Sequence, residues 1–225
     1  MSITYQVQAF AEPRGRVPSL LPAPLPAIDF VGSVVSYGRD QEIFGQGESA
    51  MQVYKVRAGA VRCFKLLSDG RRQISDFYLP GDVFGVEAGI EHRVTAEALT
   101  DTVLTVARRS ALTDGGGDDI GRAQALWRLA IGDLQRSQDH ALTLGRRSAT
   151  ERVASLLIDI AERLDADDDS LVLPMTRQDM ADYLGLTIET VSRTLSQMQS
   201  NRLITVGGCR KVQLLDREAL LELCE

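Results

Sequence analysis

Three cysteines, two histidines and one tryptophan are all that this chain of 225 residues offers of the side chains that build disulfide scaffolds, metal centres and large aromatic cores. Cys63, Cys209 and Cys224 are odd in number and have no metal-ligand spacing, which excludes a disulfide framework and fits a reducing cytosol. His92 and His140 stand too far apart in sequence to supply the two or three neighbouring imidazoles of a metal enzyme. No Ser-His-Asp, Cys-His or phosphate-cradling glycine loop occurs in a suitable context, so an enzyme is not expected, nor a metal or cofactor. No apolar run approaches the roughly 18 residues of a membrane helix, and the stretch near Leu20 is broken by Pro22, Pro24 and Pro26. The sequence therefore predicts a cytoplasmic protein with no export signal and no membrane partner. Positive charge is also short: the net charge of −6 and pI near 5.1 exclude a protein that coats nucleic acid non-specifically, although a small basic face can sit inside an acidic total.

What is present divides into segments. The composition, 44% hydrophobic and 25% charged, is that of a globular protein with a working core. Five of the seven prolines (Pro13, Pro18, Pro22, Pro24, Pro26) fall in residues 1–27, which reads as an irregular arm. Residues 28–114 carry short β-rich runs at 31–37, 53–56, 61–67, 74–79 and 103–107, punctuated by glycine and by the Asp69-Gly70 and Pro80-Gly81 turns. That spacing predicts an antiparallel sandwich or roll, with a hairpin at Ser68-Asp69-Gly70. After Gly115-Gly116-Gly117, residues 118–145 predict a helix of about 25 residues, because Ile120, Trp127, Leu134 and Ala141 recur every seven, with Ala123, Ala130, Ser137 and Leu144 between them. A seam of that length exceeds what a small sandwich can cover, so it points to a parallel homodimer contact. A second helix is expected over 150–164, ending at the acidic run Asp165, Asp167, Asp168, Asp169, a solvated loop without the glycine turn and distal Glu of a calcium site.

Residues 176–195 carry the most specific signal. Thr176 followed by Arg177-Gln178-Asp179 forms a capping-box pattern, Gly185 supplies the left-handed residue at a helix end, and Thr187 caps a second helix through Met198. Counting from Arg177, small Ala181 is fifth, Gly185 ninth and branched Val191 fifteenth, the spacing of a helix-turn-helix. On the second helix Glu189, Ser192 and Arg193 share a face by the i, i+3, i+4 rule. Arg can pair with guanine O6 and N7, Glu can accept from cytosine N4, and Ser bonds several base edges. Thr176, Arg177, Thr187 and Thr190 are placed to contact phosphate. The runs 203–206 and 212–215 around Gly207-Gly208 spell a hairpin wing with Arg210 and Lys211 near its tip. Between Leu171 and Leu215 the five basic residues Arg177, Arg193, Arg202, Arg210 and Lys211 outnumber the three acids Asp179, Asp182 and Glu189. The whole of 146–225 reads as the DNA-binding unit, with double-stranded DNA as its partner.

A glycine-punctuated roll, a long dimer helix and a winged helix-turn-helix holding Glu189-Thr190-Val191-Ser192-Arg193 together resemble the cyclic-AMP receptor protein and fumarate-nitrate reductase regulator family, over residues 28–215. With Gly81-Asp82-Val83-Phe84-Gly85 the stretch looks most like its FixK-like branch, which activates genes for low-oxygen respiration and nitrogen fixation. The resemblance implies an α+β fold with a cyclic-nucleotide-binding-like β-roll. It also implies RNA polymerase as a partner and a TTGA-N6-TCAA palindrome, with Glu189 and Arg193 on the G·C pair and Ser192 on a neighbouring thymine. The chain departs from the family's nucleotide binders, which present Gly-Glu and then Arg-Ser: here Val86 follows Gly85, Val94 follows Arg93, and Glu87 is one residue out of register, which turns a side chain to the opposite face of an extended chain. The cluster-binding members need N-terminal cysteines that the arm does not have. His92 and His140 are expected to be structural or merely exposed rather than haem ligands, and Cys224 exposed and incidental. The sequence thus predicts a regulator competent as made. A roll gated by a small ligand other than a cyclic nucleotide is the alternative, and Cys209, beside Arg210 and Lys211, is a candidate for redox tuning.

Overall fold

The computed structural model describes residues 31–112, 119–164, 170–208 and 210–224. The proline-rich arm, the triple glycine, the acidic run and Cys209 lie outside the described residues.

Among the described residues eight strands build the first unit: β1 (Ser33–Tyr37), β2 (Glu42–Phe44), β3 (Gln52–Ala58), β4 (Val61–Leu66), β5 (Arg72–Tyr78), β6 (Val83–Phe84), β7 (Thr95–Ala98) and β8 (Thr102–Arg108). They pair antiparallel in two four-stranded sheets, ordered β1-β8-β3-β6 and β2-β7-β4-β5, and form a roll. The β4–β5 turn is the expected hairpin: Gly70 takes φ +83 and its N–H donates to the Leu67 carbonyl at 2.9 Å. The interior of the roll is aromatic. Phe44, Tyr54 and Phe84 from β2, β3 and β6 are buried together with Val61, Cys63 and Leu104, and Tyr78 packs against them. His92 stacks on Phe44 with ring centroids 3.6 Å apart.

A single helix, α1 (Asp119–Arg146), leaves the roll. At 28 residues it extends about 42 Å, well beyond the sheets. It carries two stripes. Leu126 packs on Val53, Ala107 and Leu112 of the roll, Leu129 and Thr143 are buried, and Arg136 faces Asp76 of β5. The other stripe, Ile120, Ala123, Trp127, Ala130, Leu134, Ser137 and Ala141, is exposed along its length, with Trp127 68% and Ile120 73% open.

Besides a 3-10 turn at Arg109–Leu112, the remaining elements among the described residues are α2 (Ala149–Arg163), β9 (Ser170–Val172), α3 (Arg177–Leu184), α4 (Ile188–Ser200), β10 (Ile204–Gly207), β11 (Lys211–Leu214) and α5 (Arg217–Glu222). A capping box of Ser148 and Glu151 starts α2, whose Val153, Leu156, Leu157 and Ile160 form one buried stripe. That stripe anchors a core shared by Met180, Leu184, Val191, Leu195, Val212 and Leu214, and continuous with Phe64, Ile74 and Phe77 on the outer face of the roll. The helical unit is therefore seated on the β4–β5 face of the roll. The expected wing hairpin gains a third strand, in the order β10-β11-β9. Among the described residues no helix is long and apolar enough to cross a membrane.

Candidate nucleic-acid interface

The helix-turn-helix is built by its caps. The Thr176 hydroxyl accepts from the Asp179 N–H at 3.1 Å, and the Asp179 carboxylate accepts from the Thr176 N–H at 2.9 Å, so the two satisfy each other's donors at the start of α3. Gly185 ends α3 in the left-handed region, φ +61 and ψ +39, and its N–H bonds the Ala181 carbonyl. Thr187 then caps α4 by accepting from the Thr190 N–H at 3.2 Å. Ala181 and Val191 are fully buried where the two helices cross, as their fifth and fifteenth positions require.

Along α4 the buried residues are Val191, Thr194, Leu195 and Met198, a stripe at i, i+3, i+4 and i+7 that fixes which face is outward. Glu189 and Arg193 are exposed on that outward face. The Glu189 carboxyl titrates below the usual carboxylate range, chiefly through its own backbone N–H at the helix start, then Thr187 and the nearby Arg193 charge. It is thus an ionised acceptor at pH 7. Ser192 is half-buried, and Arg177 Nη1 donates to its hydroxyl oxygen at 3.3 Å. One lone pair of Ser192 is used in that bond, which leaves its O–H to donate outward. Thr187 and Thr190 hydroxyls stand 3.1 Å apart within the cap of α4, and both are also occupied in building the helix start.

The wing differs from expectation in one respect. Lys211 is exposed, but Arg210 is half-buried and its Nη1 donates to the Pro174 carbonyl at 3.2 Å, while its own carbonyl accepts from Leu173 N–H. Arg210 therefore ties the hairpin to the segment before α3 as much as it offers charge. Leu144 is a second departure: it leaves the exposed stripe of α1, stands half-buried and packs beneath Gly185. Cys224, expected to be exposed, is half-buried, with its thiol donating to the Leu220 carbonyl at 3.2 Å.

Sequence reasoning missed the ionic contacts behind this face. Asp179 and Asp182 of α3 point into the roll, held by Arg62 of β4 and Arg72 of β5. Two of the three acids counted against a basic surface are therefore turned away from it, and Arg177, Arg193 and Lys211 face a less acidic neighbourhood than composition suggests. The guanidinium of Arg152 holds three carbonyls at 2.9 Å, those of Leu144, Arg147 and Leu184, and so ties the end of α1 to the turn of the motif. A lone arginine inside the apolar run 60–64 was the signal that could have drawn attention to Arg62.

Comparison with known proteins agrees with this arrangement. The family model of the Crp-like helix-turn-helix domain matches residues 151–223, and that of the cyclic nucleotide-binding domain matches residues 34–114. The nitrogen fixation regulation protein FixK of Azorhizobium caulinodans is 46% identical over 204 residues, 89% of this chain and 82% of that one. The protein of the same name in Rhizobium meliloti is 44% identical over 191 residues, 85% of this chain and 87% of that one. Among solved structures, FixK2 from Bradyrhizobium japonicum superposes with a TM-score of 0.82 at 48% identity, covering 87% of this chain and 98% of that one. The roll interior is closely packed with aromatic rings. A Cβ on Gly85 would lie 2.7 Å from the Tyr54 ring, and Tyr54 and Tyr78 both stack on Phe84. Glu87 instead accepts from the Arg93 N–H at 3.0 Å, closing its own loop, and the Arg93 side chain is exposed. His92 is buried in the roll and His140 stacks on Tyr183; burial lowers the pKa of both.

Proposed function

The chain belongs to the cyclic-AMP receptor protein and fumarate-nitrate reductase regulator family, in its FixK-like branch, and from that premise we propose that it acts as a homodimeric activator of genes for low-oxygen respiration and nitrogen fixation. It is a DNA-binding transcription regulator and not an enzyme. In the proposed complex Glu189 and Arg193 read the G·C pair of each TTGA half-site, with Ser192 donating to the adjacent thymine. Arg177, Lys211 and the N-terminal ends of α3 and α4 hold phosphates, the role also assigned to Thr176, Thr187, Thr190 and Arg210. Two copies join along Ile120, Trp127, Ala130, Leu134 and Ala141 of α1. In TTGA-N6-TCAA the half-site centres lie about 10 base pairs apart, one helical turn, which suits a two-fold dimer. The dimer works in the cytoplasm, recruits RNA polymerase and needs no cyclic nucleotide.

The observation that carries this reading is the outward face of α4, where an ionised acceptor and a guanidinium stand one turn apart on a helix capped and oriented by a buried stripe. Fluorescence anisotropy of the ligand-free, reduced protein on a TTGA-N6-TCAA duplex and on a G-to-C variant, across a salt series, tests it. Specificity of at least ~10³ over random DNA is expected. Weak binding that ignores the G-to-C change would refute it.

A cavity of about 290 Å³ where β5, α1, α2 and α3 meet, lined among others by Asp76, Arg136, His140 and Tyr183, favours a second reading. In it a small ligand other than a cyclic nucleotide gates the helix-turn-helix. Tight binding with nothing added would decide against that reading.

A further inference from the structure

The roll and the helix-turn-helix are joined by side chains that base reading does not use. Arg62 is 9% exposed, and its Nη1 donates to Asp179 Oδ1 at 3.1 Å. The rest of its guanidinium holds Glu97 at 3.0 and 2.6 Å and Asp40 at 3.2 Å, so it is locked within the roll. Arg72 reaches the same Asp179 oxygen at 2.7 Å, and its Nε donates to Asp182 at 2.9 Å. Asp179 is 1% exposed, and its other oxygen, Oδ2, accepts from the Thr176 N–H at 2.9 Å and from the Thr176 hydroxyl at 2.6 Å. One carboxylate thus fixes the first turn of α3 through one oxygen and pins α3 to two strands of the roll through the other.

Such a cluster is a poor source of stability, because desolvating the charges offsets most of their attraction and apolar packing of the same volume serves as well. Its property is direction: forked guanidinium bonds from two strands to two successive turns of α3 constrain both its distance and its angle. In a dimer that angle has a consequence on DNA. Adding one base pair between half-sites moves the second site by about 3.4 Å and rotates it by roughly 35°. Base-edge hydrogen bonds tolerate a few tenths of an ångström.

We infer that Arg62 and Arg72 are positioning residues for palindrome recognition, which through Asp179 and Asp182 set the spacer length the dimer accepts while leaving the half-site sequence to α4. This inference rests on the dimeric reading above. It separates two properties that a merely structural role would move together: discrimination between bases and discrimination between spacers.

The test uses the full chain with Arg72→Met and measures affinity for duplexes whose spacers run from roughly four to eight base pairs, together with a G-to-C change in one half-site. The wild type is expected to favour its own spacer by about tenfold or more over the neighbouring lengths. Arg72→Met is expected to bring those lengths within about threefold of one another while the G-to-C penalty stays as in the wild type. A folded Arg72→Met protein, by circular dichroism and Tm, that keeps the wild-type spacer preference overturns the inference. Should Arg72→Met fail to fold, Asp182→Asn removes only the outer carboxylate and leaves the Asp179 pairs; an unchanged spacer profile in that variant overturns the inference equally. A wild type that reads the half-site bases but ignores the spacer overturns this inference alone. A wild type blind to the half-site bases overturns the proposed function itself, and this inference with it.

Discussion

Asp76 sits on β5 beneath α1 and α2, and its protonation should be visible in stability. Its carboxylate accepts from the Phe77 N–H at 2.8 Å, but Arg136 Nε stands 3.6 Å away, beyond a hydrogen bond, and Arg163 is committed to Asp82 at 2.6 Å and Asp159 at 3.0 Å. Burial therefore prevails over the pull of Arg163, Arg136 and the Phe77 amide, with Asp82 adding repulsion, and the carboxyl is pushed up to about 6. An unfolded Asp titrates near 3.9, so the native state holds this proton more tightly than the unfolded chain does. The stabilisation that protonation supplies is complete below about pH 4 and is lost as pH rises through about 6. A difference of about two units corresponds to ~3 kcal/mol; because a fifth of the side chain reaches solvent, ~1–2 kcal/mol is the working figure. Asp76→Asn mimics the protonated form. Near pH 7.5 it should be more stable than the wild type by ~1–2 kcal/mol, with a Tm raised by roughly 2–8 °C. The gap should shrink by about half at pH 5. Urea unfolding of both proteins across that range measures it. A variant that is less stable at pH 7.5, or a gap independent of pH, would refute the reasoning and mean that the arginines hold Asp76 ionised.

The other expectations concern the proposed DNA complex and its scaffold. Arg193→Ala should lose about 1–3 kcal/mol on the TTGA-N6-TCAA site and relax discrimination at one base pair, whereas Lys211→Ala should weaken all sequences alike and lower the salt slope by about 1; equal losses on specific and random DNA would remove Arg193 from base reading. Leu134→Asp places like charges in the exposed stripe of α1 and should give monomers by sedimentation, and palindrome affinity should fall with them; a monomer that binds the full palindrome at wild-type affinity would count against α1 as the dimer contact. Gly185→Ala puts a Cβ at φ +61 and should cost ~1–2 kcal/mol in denaturant unfolding, whereas a neutral result would mean that the turn relaxes.

What the sequence made legible was local. The capping box at Thr176 and Asp179, the left-handed Gly185 and the cap at Thr187 act over three or four residues, so the helix-turn-helix could be read to within a turn. The exposed stripe from Ile120 to Ala141 was legible because its period matches the helix, although Leu144 left it to pack beneath Gly185. The strands β2, β6 and β7 were not, since two to four residues are too few to show alternation, and β7 is two alanines, a threonine and a glutamate. Their pairing is set by the roll around them.

Asp179 joins the two scales. Its capping role spans three residues and was readable, while its bonds to Arg62 and Arg72 span 117 and 107 residues and carry no sequence period. That long-range role reverses its meaning for function. Counted by segment, Asp179 and Asp182 subtract from the positive charge a DNA-binding module needs; by direction, they are neutralised inside the protein and hold α3 at the angle from which α4 presents Glu189 and Arg193. The same residues that make the module less basic on paper make its outward face more so, and they do it by the contacts that orient it.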